Sequence, residues 1–100
     1  MLIQFVRFRS GLSDAEVRTL MEERLPQFRA QAGLVQKYYF RNPQTGEYGG
    51  IYFWESEQAI QAFRQSDLAQ GIAARYKVEG QPAVDVLEVI LALRPEKAPG

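Results

Sequence analysis

Four side chains in this sequence could do chemistry on a small molecule: Gln4, Tyr52, Trp54 and Glu88. Gln4 alternates with Leu2, Val6 and Phe8, so an amide sits in an apolar row, where it must find hydrogen-bond partners or cost stability. It either orients a substrate hydroxyl or carbonyl, or is satisfied by backbone or water. Tyr52 and Trp54 share a strand face with Gly50, and a phenol and an indole offer flat apolar surface with one donor each. That suits an aromatic ligand held by few polar contacts; the plainer alternative is that both rings fill core. Glu88 stands between Val86 and Ile90. Buried without a partner, its pKa would rise and it would be the best carboxylate base available. Arg7 or Lys37 is a possible partner, and paired across a dimer it would serve specificity instead.

Absences narrow the chemistry further. The 100-residue chain has no His and no Cys, which removes a Ser-His-Asp triad, a zincin site, a His-ligated haem, thiolate metal sites and disulfides. Twelve Lys plus Arg balance twelve Asp plus Glu, and the basic residues are scattered, so no general field draws the chain to nucleic acid or an anionic membrane. No Gly-rich nucleotide motif is present. The expectation is a protein with no cofactor, no metal, no nucleic-acid partner and no membrane association. The start, MLIQFVRFRSG, is too short and too interrupted by Gln4 and Arg7 for a signal peptide, so a cytoplasmic location is expected. Length and composition fit one domain, placed at residues 1–95, with a flexible Pro-containing tail over 96–100.

The elements that must position these groups can be traced in order. Leu2 to Arg9 is rich in β-branched and aromatic residues and ends at Ser10-Gly11, a strand and a turn. Ser13-Asp14-Ala15-Glu16 has capping-box spacing and opens a helix whose stripe is Val17, Leu20, Met21, Leu25 and Phe28. Pro26 inside that stripe predicts a kink or break near Glu22 to Leu25. Leu34 to Arg41 and Glu47 to Glu55 are strands joined by Asn42-Pro43-Gln44-Thr45-Gly46, which suits a type I turn closed by a left-handed glycine. Ser56 caps a second helix carrying Ala59, Ile60, Ala62 and Phe63, and Ser66 caps a short third through Leu68, Ile72 and Tyr76. Gly80 to Pro82 is expected as a loop and Val84 to Leu93 as a long last strand. The fold class is α+β: a ferredoxin-like βαββαβ chain with a four-stranded antiparallel sheet.

Such a sheet has helices on one face only, yet these strands are apolar on both. Tyr38, Tyr39 and Phe40 are consecutive, as are Ile51, Tyr52, Phe53 and Trp54. An uncovered apolar sheet is an association surface, so the expectation is a homodimer packed sheet to sheet about a two-fold axis. The alternative is that another segment of the same chain folds over the sheet.

RNA-recognition domains share this topology, and Glu47 to Trp54 mimics their third-strand motif. Glu47 stands where a phosphate-pairing cation belongs, and Gly49 and Ile51 occupy the stacking positions, so RNA binding is rejected. The run Gly46-Glu47-Tyr48-Gly49-Gly50-Ile51-Tyr52-Phe53-Trp54-Glu55, with Leu2-Ile3-Gln4 and the Asn42 to Gly46 turn, instead resembles the YdhR family of mono-oxygenases, of the dimeric α+β barrel superfamily. The resemblance runs from about Leu2 to Pro95. It implies a dimer whose two sheets form a barrel, and a pocket between each sheet and its own helices. Phe8 and Gly50 from the sheet and Phe28, Phe63 and Tyr76 from the helices are then expected at that pocket, with ordinary packing as the alternative for the helix residues. Trp54-Glu55-Ser56 is similar to the segment bearing the pocket tryptophan of the superfamily's haem-degrading branch, and Gln4 falls near that branch's strand-one asparagine. Its haem-ligating histidine would fall near Ala73, so haem ligation by that route is not available here.

The function implied is a cofactor-independent mono-oxygenase oxidising a small hydroxylated aromatic compound. Two alternatives belong to other classes: a non-catalytic dimer, binding a small apolar ligand or acting in stress response, and a lactone-type isomerase.

Overall fold

The computed structural model describes residues 1–94. The expected tail over 96–100 and the domain boundary at 95 lie outside the described residues. The chain runs β1 (Leu2–Ser10), α1 (Asp14–Glu23), α2 (Leu25–Arg29), β2 (Leu34–Arg41), β3 (Tyr48–Trp54), α3 (Glu57–Arg64), α4 (Asp67–Gln70), α5 (Ile72–Arg75) and β4 (Val78–Glu88). The strands pair antiparallel in the order β2-β3-β1-β4, which is the ferredoxin-like α+β fold.

Local chemistry sets the boundaries. Ser13 and Glu16 form the capping box: Ser13 Oγ accepts from the Glu16 N–H at 3.2 Å and Glu16 Oε1 accepts from the Ser13 N–H at 3.2 Å. The expected break falls at Arg24, which ends α1, and Pro26 enters the first turn of α2, where its missing N–H costs nothing. In the β2–β3 hairpin, Gly46 takes φ +79° and donates its N–H to the Asn42 carbonyl at 2.8 Å, while Asn42 Oδ1 accepts from the Gln44 N–H at 2.9 Å. This turn pairs Arg41 with Tyr48 and so sets the register that puts Tyr39 opposite Gly50 and Lys37 opposite Tyr52. The expected third helix is two single turns, α4 and α5, meeting at Gly71.

The last strand departs from expectation at both ends. It begins at Val78 and includes Gly80 to Pro82, expected as a loop, because Glu79 pairs with Arg9 and Ala83 with Arg7 around a bulge opposite Phe8. Gly80 supplies φ +71° there, and Pro82 is tolerated because β4 is an edge strand. It ends at Glu88 instead of Leu93 because β1 ends too: Leu2 pairs with Glu88, and the last bond runs from the Val89 N–H to the Met1 carbonyl at 3.1 Å.

The sheet therefore has two distinct faces. Gln4, Val6 and Phe8 of β1, Lys37 and Tyr39 of β2, and Gly50, Tyr52 and Trp54 of β3 turn towards the helices. Ile3, Phe5, Arg7, Tyr38, Phe40, Ile51, Phe53, Asp85 and Leu87 lie on the other face, which no described segment covers. The core has two joined clusters, one around Trp54, Tyr52, Phe28, Ile60 and Phe63, the other around Phe8, Val17, Tyr48 and Tyr76. No helix among the described residues is long and apolar enough to cross a membrane.

Candidate functional site

Between the helices and the sheet lies a cavity of about 270 Å³, just below the usual size of ligand pockets, with walls from β1, β2, β3, β4, α1, α2, α3, α4 and α5. Phe8, Phe28, Gly50, Tyr52, Phe63 and Tyr76 line it, together with Gln4, Val6, Lys37, Tyr39, Ile72 and Val84. Glycine at position 50 keeps the floor open: a β-carbon there would stand 3.0 Å from both Lys37 Cε and Tyr52 Cε1. Phe28, Tyr52 and Phe63 form a mutually packed aromatic wall, with ring centroids 5.7–6.2 Å apart.

Two of the four chemistry-bearing residues do not line this cavity. Trp54 is fully buried behind Tyr52, on which it stacks at 6.0 Å with ring planes 6° apart, and Phe63 closes on it at 5.3 Å. It acts on the cavity through Gln4, because its indole Nε1–H donates to Gln4 Oε1 at 3.0 Å. Glu88 is exposed at the end of β4, so no buried carboxylate base is present at that position.

The Gln4–Trp54 bond orients the amide. An indole N–H can only donate, so the oxygen of Gln4 must face it and the NH₂ must face away. Gln4 is buried, and its NH₂ has no hydrogen-bond partner among the described residues. The site thus holds an amide donor pair fixed by a residue that does not itself line the cavity.

One cavity residue appeared in the sequence reading only as a possible partner of Glu88. Lys37 lines the cavity with its Nζ 3.5 Å from the ring centroid of Phe28, 4.2 Å from that of Tyr39 and 4.4 Å from that of Tyr52. Lysine normally extends its ammonium into water. Here three aromatic faces surround it, and burial lowers its pKa from the ordinary value to about 7. The neighbouring phenols move the other way: burial pushes Tyr39 and Tyr76 up to about 12 and raises Tyr52 as well. Tyr39 Oη and Arg24 Nε, both on cavity-lining residues, are buried without a hydrogen-bond partner within the described chain. Among the described residues, no group of three His, Cys, Asp or Glu side chains is placed to hold a metal ion.

The chain is thus an α+β protein of ferredoxin-like fold, with an aromatic-walled cavity between its sheet and its helices and a few polar groups on the walls. The family model described as "Putative mono-oxygenase ydhR" matches residues 2–87, and the chain belongs to that mono-oxygenase family. Its fold is similar to that of NE2512, a protein of unknown function from Nitrosomonas europaea (TM-score 0.78, 19% identity, 96% of this chain and 95% of that one). It is also similar to Rv0793 from Mycobacterium tuberculosis (TM-score 0.76, 19% identity, 93% and 98%). SnoaB, a cofactor-independent oxygenase from Streptomyces nogalater, superposes with a TM-score of 0.74 at 18% identity over 94% of this chain and 98% of that one. A search of curated protein sequences gives no match.

Proposed function

We propose that this chain is a cofactor-independent mono-oxygenase that oxidises a small hydroxylated aromatic compound in the cavity between its sheet and helices. The observation that carries the reading is the Gln4 amide, held at 3.0 Å by Trp54 on the wall of an otherwise largely aromatic cavity. Membership of a mono-oxygenase family and likeness in fold to SnoaB support it. In such chemistry an electron-rich carbanion or phenolate reacts directly with dioxygen, so the protein has to supply a dry cavity, orientation and a weak base. Phe28, Tyr52 and Phe63 supply apolar ring contacts, and the Gln4 NH₂ donates to a substrate carbonyl or hydroxyl oxygen.

Two copies of the chain, packed through their outer sheet faces, form the working unit of this reading. Ile3, Phe5, Ile51, Phe53 and Leu87 are apolar and without cover on that face, and Arg7 and Asp85 lie on it without an ion pair among the described residues. A two-fold axis passing between these two positions would bring each such charge of one copy towards its opposite in the other, which suits an isologous contact.

Oxygen uptake with anthrone or a quinol tests the activity. Uptake above the rate without protein, reduced in a folded Gln4→Leu variant, supports it. A folded protein that consumes no oxygen with such compounds but binds them is a ligand-binding protein, and product formed without oxygen consumption points to an isomerase.

A further inference from the structure

Resting on that reading, we propose that Lys37 is the base of the cavity, taking the proton of a weakly acidic phenolic or enolic hydroxyl and then holding the resulting oxyanion as its ammonium partner. The substrate class narrows accordingly, from any hydroxylated aromatic to one whose hydroxyl ionises readily.

Elimination among the cavity walls supports this. Among the described residues, no Asp, Glu or His lines the cavity. Arg24, Arg64 and Arg75 line it, but guanidinium groups stay protonated and cannot act as bases. The phenols of Tyr39, Tyr52 and Tyr76 hold their protons well above neutral pH, and an amide such as Gln4 is no base. Lys37 is left, and its titration near 7 provides the free amine at neutral pH.

Geometry supplies the rest. Lys37 Nζ lies among the faces of Phe28, Tyr39 and Tyr52, so a flat ring entering the cavity meets the amine beside the surfaces that bind it. Lys37 has no ion pair among the described residues, and the Tyr39 hydroxyl has no partner either. A substrate oxyanion would satisfy both. In the transfer, the substrate O–H breaks with its electron pair left on oxygen, and one N–H forms on Nζ. The ion pair is strengthened by the same low-dielectric walls that disfavour a lone ammonium. The ionised ring is the electron-rich form that gives its electrons to dioxygen.

The test uses para-nitrophenol, which is coloured only when ionised, with binding followed through fluorescence of the single tryptophan, Trp54. On the intact protein the bound probe should ionise more readily than in water, with an ionisation constant raised roughly tenfold or more. Lys37→Met and Lys37→Gln should bind the probe and lose that shift, while Lys37→Arg, which keeps a charge, should retain part of it. A bound probe with no shift in the intact protein, or a shift that survives in Lys37→Met, overturns the assignment; in the second case the arginines are the cause. Either result leaves the oxygenase reading to its own oxygen-uptake test. A protein that binds no phenol overturns both.

Discussion

The indole N–H of Trp54 donates to the side-chain oxygen of Gln4 at 3.0 Å, across the paired strands β1 and β3. Both residues are buried, and Leu2, not Gln4, is the direct pairing partner of Trp54, so the bond runs diagonally over the sheet. It joins core to cavity: the ring that is packed away fixes the amide that is not.

Breaking this bond from either side should leave a buried polar group unpaired, at a cost of about 1–3 kcal/mol. Urea unfolding should therefore show Gln4→Leu and Trp54→Phe each destabilised, and the double variant destabilised by less than the sum. Strict additivity would show that the two side chains do not depend on each other. Gln4→Leu, which removes the donor itself, should raise KM for an aromatic substrate at least as much as Trp54→Phe, which only releases it.

Stability should depend on pH through Lys37. Its folded pKa of about 7 lies below the ordinary 10.5, so the unfolded chain binds more protons between those values and stability rises with pH from about 7 upwards. Tyr39 and Tyr76 act in the opposite sense above about pH 10, where the unfolded phenols ionise first and stability falls. Chemical denaturation from neutral pH to pH 9.5 should show the rise in the native chain and a flat line in Lys37→Met. A rise that persists in the variant would assign it elsewhere.

Activity should follow the same group. If Lys37 must be unprotonated to accept the substrate proton, kcat/KM for oxygen uptake should climb as pH rises through about 7. The climb should vanish in Lys37→Gln. A profile unchanged by that substitution would show that another group sets it.

Most of the fold can be read from the order of capped helices and apolar strands, because caps, turns and periodicity are local. The capping box at Ser13 and Glu16 and the left-handed Gly46 stand where local chemistry puts them. The cavity is less legible because it depends on register. Lys37 carries no local signal; only its place opposite Tyr52, set by the turn at Asn42 to Gly46, brings it among three rings. The separation of Trp54 from the cavity is likewise a packing result, since Tyr52 and Trp54 share a face and only the helix above decides which is covered. The early end of β4 reflects the end of its partner strand, a non-local limit that the apolar run to Leu93 does not display.

Gly49 and Gly46 are required for different reasons. A β-carbon at position 49 would collide with the Val6 carbonyl oxygen and with the ring of Phe40, and a backbone atom cannot swing away. Gly49→Ala should cost on the order of 3 kcal/mol or fail to fold. Gly46→Ala, at φ +79° with open space around it, should cost only about 1–2 kcal/mol. Equal costs in thermal melts would contradict the close approach of β1 and β3 at Gly49.

The outer sheet face gives a prediction independent of the cavity. Ile51→Glu places a charge at the centre of the proposed contact between copies without touching the cavity wall. Light scattering should give a dimer mass for the native chain across micromolar concentrations and a monomer for the variant. A monomeric native chain would remove the sheet-to-sheet contact from the account.

In the proposed reaction dioxygen reacts with an ionised aromatic inside this cavity. Incubation with anthrone under isotopically heavy dioxygen, followed by mass spectrometry of the product, tests it directly. Quinone should form faster than in buffer alone and carry one heavy oxygen atom, with the other released as water. Unlabelled product, or a rate no greater than that without protein, would contradict it.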